Sequence, residues 1–190
     1  YSFNPIPKEL TKEEARYVLG AQGNVWTEYM NNSKQVEYMA FPRMIALSEV
    51  VWSENQNKNY ENFKTRLEFY QQRLDARNVN YANHLYEVLG KSEIKEGVLS
   101  LNLKTSSNSK TIRYTTDGTM PNINSTIYKA PLAIEKSVTV NAASFDSEKQ
   151  VSSVFTETIK MHKAVGKKIT FDVPPSEKYN AGGNSALING

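Results

Sequence analysis

No cysteine occurs in the 190 residues. That removes disulfides, thiolate metal sites and cysteine nucleophiles together. Histidine is nearly as scarce. His84 and His162 are the only two and lie far apart in the sequence, so no metal-ligand set can be assembled from them. No apolar run approaches the roughly 20 residues of a membrane span. Lys and Arg are interspersed with Asp and Glu, no basic run reaches five residues, and the formal net charge is only +3 at pH 7. The electrostatic footprint of a nucleic-acid binder is therefore missing. Internal repeats and low-complexity tracts are also missing. Tyr1 is not an initiator, and the chain is expected to be a piece of a larger protein whose original compartment is not written in it.

What is present changes character near residue 91. Before that point the chain carries both Trp residues and long-period apolar patterning; after it, Thr, Ser, Val and Ile alternate with period two. A boundary is expected in "LGKSEIKEG", Leu89 to Gly97, where Gly90 and Gly97 bracket a charged stretch. The segment Thr11-Lys12-Glu13-Glu14 has the form of a capping box and predicts a short helix over 12–17. Val18 to Thr27 reads as a strand. A long helix is expected over 34–52, with Pro42 kinking it or starting a second helix. Another is expected over 60–77, burying Phe63, Leu67, Phe69, Tyr70 and Leu74. From about Glu96 to Met161 only strands are expected. Asp117-Gly118 marks a tight turn, and the close spacing of short strands reads as a small β-sandwich.

The chemistry gathers in "VLGAQGNVWTEYM", Val18 to Met30. In a strand, Gln22, Asn24, Trp26 and Glu28 share one face, and Ala21, Gly23, Val25 and Thr27 share the other. The small residues on the second face would let a helix pack closely behind it. A strand followed by a long amphipathic helix is the unit of a parallel α/β sheet or barrel, which places its chemistry at the carboxyl end of the strand. Trp26 and Glu28 sit at that end. An indole can cover the apolar face of a pyranose ring while a carboxylate accepts hydrogen bonds from its hydroxyls. The alternative is that Trp26 is a core residue and Glu28 is merely exposed, and the spacing leaves both open.

"LGAQGNVWTEYM" followed by "VEYMAFPRMIALSEVVWS" resembles the end of the catalytic barrel in glycoside hydrolase family 20, the β-N-acetylhexosaminidases. The resemblance covers roughly the first 85 residues. It implies an α+β multidomain fragment: the last strand and helices of a (β/α)8 barrel over 1–90, then further domains. By resemblance, Trp26 would line the pocket for a terminal N-acetylhexosamine and Glu28 would hydrogen-bond its outer hydroxyls. The family's substrate-assisted mechanism uses an Asp-Glu pair, an exception to the two-carboxylate scheme. That pair is absent from this chain, so no catalytic residue is assigned here and the chain is expected to be inactive alone. No cofactor or metal is implied. "IRYTTDGTMPNINSTIY" resembles a small immunoglobulin-like domain that follows the barrel in bacterial members, placed at 96–161. "GKKITFDVPPSEKYNAGGNSALING" resembles the opening of a discoidin-like, galactose-binding-type module over 162–190.

The expected partners are glycans ending in GlcNAc or GalNAc, met in the periplasm, at the cell surface or outside the cell. An open barrel edge would also let chains associate with one another. The competing reading is a non-enzymatic glycan-binding or interdomain module, which would need exposed aromatics on the sandwich. Tyr114, Tyr128 and Phe145 are few and look partly buried. Arg43 and Glu49 read first as a structural ion pair or cap, Trp52 as core, and His84 as a hydrogen-bonded packing residue.

Overall fold

A computed structural model describes residues 1, 3–165, 167, 170–173 and 176. The chain forms two compact units, Tyr1–Ala82 and a second that begins at Asn83.

The first unit is helical. The capping box forms as its spacing requires: Thr11 Oγ1 accepts from the Glu14 amide at 3.2 Å, and Glu14 Oε2 accepts from the Thr11 amide at 2.9 Å. It caps only one 3-10 turn, Glu14–Tyr17. The long helix is two helices, α1 (Ser33–Ala40) and α2 (Arg43–Trp52), divided at Pro42. Proline has no amide to continue α1, and it starts α2 instead. Asn32 caps α1 by accepting from the Gln35 amide at 3.0 Å. Helix α3 (Tyr60–Ala76) is capped in the same way by Asn59, which accepts from the Asn62 amide at 2.9 Å.

Three expectations about packing are corrected here. Phe63, Leu67 and Leu74 of α3 are buried as expected, but Phe69 and Tyr70 are exposed. Phe69 lies on the opposite side of the helix from that stripe, and Tyr70 lies at its margin. Trp52 is 89% exposed rather than core. It closes the last turn of α2, and its bulk projects from the unit instead of into it.

Two ties hold the helices together. Glu49 on α2 accepts a bidentate pair from Arg66 on α3, at 2.8 and 2.6 Å, and a third bond from the Tyr1 hydroxyl at 3.3 Å. Behind α3 the chain runs back along α1. The Asn80 amide donates to Glu37 at 2.8 Å, the Asn80 side chain donates to the Lys34 carbonyl at 2.8 Å, and the Ala82 amide donates to the Phe41 carbonyl at 3.0 Å.

The second unit is a sandwich of antiparallel sheets. One sheet has the order β1 (Val88–Lys95), β2 (Val98–Thr105), β5 (Leu132–Ile134). In the other, β4 (Thr126–Ile127), β3 (Thr111–Thr115) and β6 (Val138–Asp146) lie side by side. The far edge of β6 pairs with both β7 (Lys149–Gln150) and β8 (Phe155–Ile159). Alternation puts Leu99, Leu101 and Leu103 of β2 inward against Ile112, Val140, Ala142 and Ile159 of the facing sheet, and all belong to one buried cluster. Tyr128 joins the sheets through its backbone and its ring. Its amide donates to the Ile112 carbonyl at 2.9 Å, and its hydroxyl accepts from the Leu103 amide at 3.1 Å.

The boundary falls earlier than expected. The stretch read as a linker is strand β1, paired residue for residue with β2 from Val88↔Thr105 to Lys95↔Val98. Gly90 is a strand residue and not a linker glycine. A Cβ at that position would stand 2.2 Å from the Phe155 ring, so the missing side chain makes room for an aromatic. Gly97, with φ +81°, turns β1 into β2. Residues 83–87 also belong to this unit. Asn83 donates to the Val151 carbonyl at 2.7 Å, Ser153 Oγ donates to Glu87, and Tyr86 is buried beneath the Lys110 ammonium, which pairs with Asp146 at 2.7 Å.

The Asp117-Gly118 turn is present. Gly118 takes φ +82°, and Asp117 Oδ1 accepts from the amide and hydroxyl of Thr119 at 3.0 and 2.6 Å. Buried Asn141 fixes it from β6, donating to the Gly118 and Thr119 carbonyls at 3.0 Å each. Residues 170–173, in the segment expected to open a discoidin-like module, carry no strand pairing. Of the rest of that segment, residues 162–165, 167 and 176 are described, and the remainder lies outside the described residues.

Two measurements check these interactions. Gly90→Ala should displace Phe155 and destabilise the sandwich by about 1–3 kcal/mol in denaturant titration; an unchanged midpoint would show that the ring is free to move. The Arg66 hydrogen bonds hold the Glu49 carboxyl below the usual carboxylate range. A depressed folded value means the pair stabilises above the unfolded value of about 4.3 and stops doing so as pH falls through the folded one. Glu49→Gln should lower the melting temperature of the helical unit at neutral pH, and the difference from the parent chain should shrink as the pH is lowered through the folded value.

Candidate functional site

The residues singled out for chemistry lie between the first 3-10 turn and α1. Val18 to Trp26 runs without strand pairing, and Thr27–Tyr29 closes into a 3-10 turn, with the Met30 amide donating to the Thr27 carbonyl at 3.0 Å. The expected strand is thus corrected. Among the described residues the first unit contains no strand, so this backbone has no ladder to join.

The local pattern of a strand nevertheless persists. Gln22 Nε2 donates to Asn24 Oδ1, which places these two side chains, two residues apart, on one side. Gly23 lies on the other parity and faces α2. A Cβ there would stand 3.2 Å from Leu47 Cδ2, the close helix approach that the small-residue face predicts. Trp26, at the end of the extended run, is 77% exposed, and Glu28 is exposed within the 3-10 turn. The turn interrupts the alternation, so parity no longer assigns Glu28 to the face of Trp26.

The extended run and the helices enclose a cavity of about 490 Å³. Gly23, Asn24, Val25 and Trp26 line one side, and Met39, Arg43, Met44 and Leu47 the other. Its walls are mainly apolar. Arg43 borders it while its Nη1 donates to the Tyr38 and Met39 carbonyls at 3.0 and 2.9 Å, capping the end of α1. The cap reading of Arg43 and the ion-pair reading of Glu49 both fit this geometry, although the partner of Glu49 is Arg66 rather than Arg43. Sequence spacing did not single out Arg66, because the pair joins two helices 17 residues apart in sequence.

The other candidates are dispersed. His84 is exposed, and His162 is exposed with its Nδ1 accepting from the Ala164 amide at 3.3 Å. Among the described residues no group of three or more His, Cys, Asp or Glu is placed to hold a metal ion, and no helix is long and apolar enough to cross a membrane. On the sandwich, Phe145 is buried, and Tyr114 and Tyr128 are half-buried edge to face at 6.3 Å. Those three aromatics pack within the fold and do not offer a stacking platform.

Comparison with known proteins adds an independent observation. Residues 1–55 match the family model "Glycosyl hydrolase family 20, catalytic domain". Residues 101–159 match the model "Fn3 associated". The chain is 39% identical over 135 residues to a beta-hexosaminidase of Porphyromonas gingivalis, covering 70% of this chain and 17% of that protein. It is 48% identical over 42 residues to a beta-hexosaminidase of Vibrio vulnificus, covering 22% of this chain and 5% of that protein. The matches thus span a small part of either relative. Trp26 and Glu28 fall inside the catalytic-domain match, and strands β3 to β8 fall inside the other. The amino-terminal part of this chain belongs to glycosyl hydrolase family 20, and an Fn3-associated region follows it.

Proposed function

We propose that this chain is the carboxyl-terminal part of an exo-β-N-acetylhexosaminidase, comprising the last wall of its catalytic barrel and the sandwich that follows. The observation that carries the reading is the exposed Trp26–Glu28 segment, set at the end of an extended run inside the matched catalytic domain. In the parent protein Trp26 would cover the apolar face of a terminal N-acetylhexosamine, and Glu28 would accept hydrogen bonds from its outer hydroxyls. The general acid and the residue that orients the acetamido group for substrate-assisted attack would come from elsewhere in the barrel. The sandwich would be an immunoglobulin-like spacer, and 162–190 would open a discoidin-like module. The parent would work outside the cytoplasm, on glycan ends.

The test is release of 4-nitrophenol from 4-nitrophenyl N-acetyl-β-glucosaminide by the full-length gene product. Glu28→Gln keeps the shape and removes the charge. It should cost about 1.5–3 kcal/mol, roughly tenfold to a hundredfold in kcat/KM. Trp26→Ala should raise KM by a similar factor, and the 190-residue chain alone should be silent. Wild-type rates in both variants would sink the assignment of the wall.

The first unit leaves Leu19 96% exposed and Tyr29 80% exposed, and Trp26 and Trp52 are exposed as well. Association of isolated chains through this apolar surface follows from the barrel reading. Sedimentation velocity should show species larger than a monomer that dissociate as the chain is diluted; a single monomeric boundary at every concentration would refute it.

A further inference from the structure

We infer that Asn24 is a substrate-contacting residue of this wall and that Gln22 sets its orientation. The inference rests on the sugar-wall reading of Trp26 and names a contact within the same site. Asn24 and Trp26 stand two residues apart on an extended backbone, a separation of roughly 6.5–7 Å, and alternation places both on the side away from Gly23 and α2. Both are exposed. A pyranose lying on the indole carries its substituents over that distance.

The hydrogen bond between the two amides decides what Asn24 presents. Gln22 Nε2 donates to Asn24 Oδ1, so the carbonyl of Asn24 is engaged and its Nδ2 is the group turned to other partners. A side-chain amide free to rotate offers donor and acceptor alternately; this one is held as a donor. The matching chemistry on a sugar is an oxygen acceptor, either a hydroxyl or the acyl carbonyl. Asn24 thus offers a side-chain donor two residues from Trp26 on the same extended run. The pair would read the substituent that overhangs the indole, and Gln22 would act as a positioning residue.

Asn24→Asp isolates this property. The carboxylate can still accept from Gln22, but the donor is gone and a negative charge faces the sugar oxygen. In the full-length gene product, Asn24→Asp should raise KM for the 4-nitrophenyl N-acetylhexosaminides about tenfold or more with a smaller change in kcat. It should also change the ratio of kcat/KM between the gluco and galacto sugars, or between N-acetyl and N-trifluoroacetyl substrates. The first change assigns the acceptor to a ring hydroxyl and the second to the acyl carbonyl. Gln22→Leu should raise KM less and shift the same ratio in the same direction. The melting temperature of each variant, together with Asn24→Ala, separates loss of contact from loss of fold, because misfolding lowers the active fraction without altering selectivity. Unchanged KM and unchanged ratios in Asn24→Asp, with Trp26→Ala impaired, would overturn the role of Asn24 and leave the wall intact. Unchanged values in both would overturn the wall itself.

Discussion

A β-strand exists only where a neighbour completes its backbone hydrogen bonds, and that requirement divides this chain. Residues 88–159 hold enough extended segments to satisfy one another. Eight strands pair in two sheets, and the apolar side chains of both meet in a single core. Val18 to Trp26 has the alternation of a strand but no partner in its own unit, and its backbone stays extended without a ladder. The helices behind it are less demanding, because α-helical hydrogen bonds close within the segment. They form with their caps in place and are then fixed by side chains, through the bidentate Glu49–Arg66 pair between α2 and α3 and the run of bonds from Asn80 and Ala82 back to α1.

That asymmetry bears on the site. Family membership over residues 1–55 and the exposure of Trp26 and Glu28 agree with a surface built to meet something else. The proposed occupant is a terminal N-acetylhexosamine on one face. The small side chains of the other face suit a helix, as the approach of Leu47 to Gly23 illustrates. The sandwich contributes differently. Tyr114, Tyr128 and Phe145 pack within it, and its buried Asn141 fixes the turn at Asp117-Gly118. This favours a spacer over a carbohydrate-binding platform.

Residues whose role is local were legible in advance. Thr11 and Glu14 form their capping box, Pro42 divides the long helix, and Asp117-Gly118 makes its turn, because each depends on neighbours a few positions away. Misjudged residues depended on remote neighbours. Apolarity assigns Phe69, Tyr70 and Trp52 to the core, yet all three are exposed. The surroundings of Gly90 in the sequence are those of a linker, although its role is to accommodate Phe155, 65 positions away. The local sequence gives Arg66 no role, because a surface arginine acquires meaning only when another helix presents a carboxylate to it.

The sequence by itself determined the helix and turn punctuation, the two-part organisation, the alternation of the β region, and the family of the amino-terminal segment. These depend on short-range sterics, on hydrophobic periodicity and on motifs read in order. Only the tertiary structure decided that β1 begins at Val88 and that residues 83–87 belong to the sandwich. It alone showed that Glu49 is held by Arg66. Pairing, burial and side-chain orientation are properties of two segments at once, and the periodicity of either segment alone does not encode which partner it will meet.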